Sequence, residues 1–86
     1  MTRLEKIYDD QNTLLATLFC AKAFKNDLTG IKGMLMAGIS PNFQDPEGRT
    51  PLHIAAEEGH KEICTLLIEY GADINIKDAH GRTAAG

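Results

Sequence analysis

No cluster of basic residues occurs anywhere in these 86 residues. Nine Lys and Arg stand singly against twelve Asp and Glu, for a net charge of −3. Nucleic acid is held by a basic stripe that displaces counterions, so this balance argues against that partner. No segment approaches the roughly 20 apolar residues that a membrane span requires. The apolar run from Leu14 to Ala21 is too short for one, and Glu5, Asp9 and Asp10 spoil the basic start that a signal peptide needs, although Ala21-Lys22-Ala23 mimics a cleavage site. Cysteine is scarce: Cys20 and Cys64 lie far apart with no CxxC, which leaves redox and zinc motifs without support. Both sit among apolar residues and read as reduced core thiols, which favours a cytoplasmic setting. No Gly-rich phosphate loop appears. No Cys, Ser or carboxylate accompanies His53 at a catalytic spacing, and His53 and His60 do not stand at a recognised ligand spacing. The residues therefore predict neither an enzyme nor a bound metal or cofactor.

What is present is an ordinary globular composition, 43% hydrophobic and 24% charged. A chain this short makes one small domain with a marginal core. It also repeats itself. Asp78-Ala79-His80-Gly81-Arg82-Thr83 restates Asp45-Pro46-Glu47-Gly48-Arg49-Thr50 at an offset of 33 residues. The same offset relates Gly71 to Gly38, Asn75 to Asn42 and Ala56 to Ala23.

Along the chain, Thr2-Arg3-Leu4-Glu5 has the form of a capping box, and Leu4, Ile7 and Tyr8 make one apolar stripe. A short leading helix follows, or a single helix running on to Lys25. Residues 13–25 read as helix, ended at Asn26-Asp27 by an Asn that tolerates left-handed backbone. Leu28 to Ala37 forms the next helix, with Ile31, Met34 and Leu35 inward and Gly38 as the stop. Gly30 and Gly33 weaken it, and close helix packing is the expected reason. Pro41 and Pro46 hold residues 38–50 extended, with a turn at Glu47-Gly48. Thr50 is the cap of a third helix and Pro51 its first residue. That helix runs through Leu52, Ile54, Ala55 and Ala56 to Glu58. Gly59 ends it, and His60 to Tyr70 forms a fourth helix ended by Gly71. Small Ala55 and Ala56 are expected to let the last two helices approach closely.

The stretch from Asp45 to Asp78 resembles an ankyrin repeat. Thr50-Pro51-Leu52-His53, Ala55, Ala56, Gly59-His60, Leu66, Leu67, Gly71-Ala72-Asp73 and Asn75 all stand at that family's positions. Leu28 to Asp45 parallels Lys61 to Asp78, whereas Thr17-Leu18-Phe19-Cys20 replaces Thr-Pro-Leu-His. The chain therefore divides into a leading segment (1–12), a degenerate N-terminal capping repeat (13–44), one full repeat (45–77) and the start of another (78–86). The resemblance implies an all-α, ankyrin-type solenoid of stacked helix-loop-helix pairs with β-hairpin-like loops and a concave face. It also implies that His53 and His60 are structural, with His53 tying Thr50 to nearby backbone.

The resemblance further implies a module that binds another protein through loop tips and the outward side of the first helix of each pair. Those positions are Gln44, Glu47, Lys77 and His80 on the tips, and Phe24, Lys25, Glu57 and Glu58 on the helices. Glu47, Glu57 and Glu58 would form an acidic patch flanked by Arg49 and Lys77. Phe24 faces the concave side by register, or enters the core if its helix is rotated. The other readings are a self-assembling element pairing through an uncapped C-terminal face, an accessory domain of a larger protein, and a secreted bacterial effector. Parts of Ile54, Cys64, Leu67 and Ile68 are expected to be exposed on that C-terminal face.

Overall fold

The computed structural model describes residues 11–84. The capping box at Thr2 and the stripe at Leu4, Ile7 and Tyr8 lie outside them. Four helices follow one another: α1 (Gln11–Phe24), α2 (Leu28–Met36), α3 (Pro51–Glu58) and α4 (Lys61–Glu69). The described residues contain no strand, and the loops expected to be hairpin-like are turns. Short connections fold α1 onto α2 and α3 onto α4. The pairs stack as two layers, α1 beside α3 and α2 beside α4.

Local chemistry sets the helix ends. Asn26 takes a left-handed φ of 57°, the only described non-glycine residue to do so, and closes α1. Asp27 then caps α2 by accepting from the Gly30 N–H at 2.9 Å. This refines the expected role of the helical glycines, which holds in part for Gly30 and fails for Gly33. A Cβ on Gly30 would come within 2.5 Å of the Asp27 carboxylate, while one on Gly33 would meet nothing within 4 Å. Gly30 makes room for the capping side chain and for Lys22 of α1, whose Cδ would lie 3.1 Å from that Cβ, whereas Gly33 serves no close approach. Gly59 closes α3 at φ 75°.

The core joins all four helices. Phe19, Ala23, Ile31, Ala55, Ile63 and Leu67 are fully buried at its centre. Leu35, Met34, Leu52 and Ile54 complete it. Two expectations fail here. Ile54 and Leu67 do not lie on an open end face: Leu67 is fully enclosed between the layers, and Ile54 turns toward α1. Ala56 is exposed, so Ala55 alone serves the close approach of α3 and α4.

Candidate functional site

The site is built on the side of α1 and α3 that faces the loops. Thr50 and His53 fix the start of α3. The Thr50 hydroxyl accepts from the His53 N–H at 3.4 Å and lies 2.8 Å from His53 Nδ1. The Thr50 N–H donates to the same Nδ1 at 3.1 Å. Nδ1 is therefore the acceptor, and Nε2 carries the proton it donates to the Arg82 carbonyl at 2.9 Å. Both polar ends of this buried imidazole are satisfied, as a structural role requires. His60 is structural too, with Nε2 3.3 Å from the Phe24 carbonyl oxygen.

The two pairs use one plan with different side chains. Thirty-three residues before His53 stands Cys20, whose thiol points to the Arg49 carbonyl at 3.9 Å. The imidazole bond to Arg82 and this thiol contact to Arg49 join equivalent positions. Burial pushes the Cys20 thiol up to about 12, with the Asp45 carboxylate adding to the effect and Arg49 opposing it. It stays protonated and unreactive.

The loops are held by paired carboxylates. Asp45 accepts from the backbone N–H groups of Glu47 and Arg49 at 2.9 and 2.8 Å and binds Arg49 Nε at 3.1 Å. Asp78 repeats this with His80 and Arg82. The Arg82 N–H does most to hold the Asp78 carboxyl below its ordinary value, against the opposing effect of burial. Adjacent loops are also cross-linked. The Ala79 N–H donates to the Glu47 carbonyl at 2.9 Å. Gln44 Nε2 donates to the carbonyls of Gly48 and Lys77 at 2.8 and 3.1 Å. Gly48 sits at φ 77°, and a Cβ there would press within 2.9 Å of the Ala79 nitrogen. Only glycine permits both that backbone and that approach.

Between α1 and the Asp45–Arg49 turn lies a groove. Its floor is Cys20, Asp45 and Ile54; its rim is Thr17, Ala21, Phe24, Lys25 and Arg49. Phe24 is 60% exposed, so α1 is not rotated to bury it. One period on, His53, Ala56, Glu57, Arg82 and Ala84 line the corresponding groove beside the Asp78 turn. There Glu57 replaces Phe24 and Glu58 replaces Lys25, both exposed at the end of α3. Neither glutamate forms an ion pair with a described residue.

The other predicted positions divide. Lys77 and His80 are exposed side chains on the second loop. Glu47 is exposed but pairs with Arg49 at 3.6 Å, so it is partly neutralised. Gln44 is exposed, yet its amide is engaged within the loops. Residue reading missed Ile54 and Ala21 as the apolar lining around Phe24. For Ala21 the signal was the helical spacing of Thr17, Ala21 and Phe24 on α1. It also missed Asn42, which accepts from the Asp73 N–H at 2.7 Å and donates to the Gly71 carbonyl at 3.0 Å. A somewhat roomier groove lies on the far side, between α2 and α4. Leu28 and Leu66 line it, but Lys32, Lys61, Glu62 and Glu69 surround it with both signs of charge, which favours no ligand. Among the described residues no cluster of His, Cys, Asp and Glu is placed to hold a metal, and no helix is long and apolar enough to cross a membrane.

Comparison with known proteins agrees with this architecture. The family model described as ankyrin repeats (3 copies) matches residues 18–85. An ankyrin repeat-containing protein of Schizosaccharomyces pombe is 49% identical over 49 residues, 57% of this chain and 24% of that protein. The potassium channel KOR2 of Oryza sativa is 53% identical over 53 residues, 62% of this chain and 7% of the channel. The potassium channel SKOR of Arabidopsis thaliana is 42% identical over 67 residues, 78% of this chain and 8% of the channel. The chain thus corresponds to a quarter or less of each of these relatives' length. Ankyrin repeats are in general protein–protein interaction modules without catalytic groups of their own. With a match across most of its length, and with helix pairs, turns and seams that recur at 33 residues, the chain belongs to the ankyrin-repeat family.

Proposed function

We propose that this chain is a non-catalytic, cytoplasmic protein-interaction module. It binds a partner protein through its loop tips and the concave, loop-side surface of α1 and α3. The observation that carries this reading is Phe24, a large aromatic side chain left 60% exposed beside a groove, with two carboxylates that lack described ion partners at the equivalent positions one helix along. Aromatic residues in such settings are enriched in binding hot spots. The candidate contact residues are Phe24, Glu57 and Glu58 on the helices, Lys25 in the turn after α1, and Glu47, Lys77, His80 and Gln44 on the loops. With repeat boundaries at 44 and 77, each groove lies across the junction of one repeat with the next. A role as accessory module of a longer protein fits the same reading, since the matched segment is 7–8% of the channel relatives. A pull-down comparing the native chain with a Phe24, Glu57 and Glu58 triple alanine variant tests it. Loss of the captured partners is expected. Retention of all of them would discard this surface.

Self-association is a second reading, favoured by Ile68, which is 51% exposed on α4. Light scattering at tens of micromolar separates the two. A clean monomer sinks self-association.

A further inference from the structure

The first groove and the acidic end of α3 differ in chemistry but hold equivalent positions on neighbouring helices. Within the first groove the charges of Asp45 and Arg49 are already matched to each other. The Asp45 carboxylate is occupied by Arg49 Nε and two backbone N–H groups. What the groove offers a visitor is Phe24, Ala21 and the edge of Ile54. One helix along, Glu57 and Glu58 offer two carboxylates without described ion partners. Lys25, beside Phe24, makes the first groove unwelcoming to a cation. The charge order along the face is therefore fixed.

Packed helices lie about 8–10 Å apart. A polyproline II segment has three residues per turn and rises about 3.1 Å per residue, so side chains three apart project to one side about 9 Å apart. A β-strand places same-side side chains about 6.7 or 13 Å apart, and neither matches. We propose that this face reads an extended, polyproline II-type segment of a partner, with an aliphatic side chain in the Phe24 groove and a lysine or arginine three residues away against Glu57 and Glu58. The proposal rests on the concave-surface reading and adds to it the chemistry and spacing of the partner.

The test titrates the full chain, followed by NMR, with blocked proline-rich peptides that carry Leu and Arg three positions apart in either order. Controls place the two residues two or four apart, or replace Arg by Glu. One three-apart peptide should bind at least roughly tenfold more tightly than every control. Phe24→Ala should abolish that preference; Phe24 is exposed, so the variant should keep the native circular dichroism. Glu57→Lys with Glu58→Lys should invert the choice between the Arg and Glu peptides. Equal binding at all spacings overturns the register, and an unchanged charge preference in the double reversal overturns the acidic pairing. No binding by any peptide at about millimolar concentration overturns the proposal as well. Any of these outcomes with partner loss in the triple alanine variant leaves the interaction surface standing. Partner retention in that variant removes the surface itself.

Discussion

Leu35 on α2 and Ile68 on α4 are equivalent positions, yet Leu35 is 4% exposed and Ile68 51%. The same holds nearby. Ala23 is buried and Ala56 exposed; Ile31 is buried and Cys64 half-buried. The side chains are of similar character, so the difference is not one of hydrophobicity. Each residue of the first pair has α3 and α4 laid against it, and its counterpart in the second pair lacks such a neighbour among the described residues. In a stacked fold burial belongs to the seam, not to the residue.

The strongest challenge to that comparison is Leu67→Ala. Leu67 is fully buried inside the second pair itself, so it should cost about 2–5 kcal/mol despite lying on the less covered pair. In a domain of this size that is a large share of all stability. Chemical denaturation measures it, and a loss under about 1 kcal/mol would show that the second pair is loosely packed. Next in size is the matched pair of substitutions. Leu35→Ala should also cost about 2–5 kcal/mol, but Ile68→Ala only about 1 kcal/mol or less. Equal losses would mean that something covers Ile68 in solution.

His53→Cys installs the first pair's solution in the second. Nδ1 is then lost to Thr50, and a cost of about 1–3 kcal/mol is expected from the stranded buried donors. A neutral result would show that the thiol contact at Cys20 is as good a seam as the imidazole. The smallest effect is one of rate. Burial raises both thiols above the ordinary cysteine value, yet Cys64 is only half-covered. A thiol reagent should label Cys64 under native conditions and Cys20 only on unfolding. Simultaneous labelling would contradict the buried seam.

Much of this was legible beforehand because ankyrin units write their stops and caps in single residues. The Thr50-Pro51 start, the turn at Gly48 and the left-handed Asn26 all follow from local backbone chemistry. The period also gave the seams. Burial around Ile54, Ala56 and Leu67 was not legible, because apolar residues on both sides of a short helix read alike until a neighbour is laid down. Asp27 was passed over as a helix stop, although its side chain starts the next helix. Gln44 shows the same limit in the site. A polar residue at a loop tip looks available for a partner, but whether its amide is already engaged depends on a loop 33 residues away.

The bond from Ala79 to the Glu47 carbonyl, with the Gln44 amide beside it, gives the loops a collective mechanics. A partner that presses on one tip is resisted by two, and neither tip has much freedom left to lose on contact. The Ala79 amide is thus a natural gauge of that stiffness. Slow hydrogen exchange there would report two loops moving as a single rail.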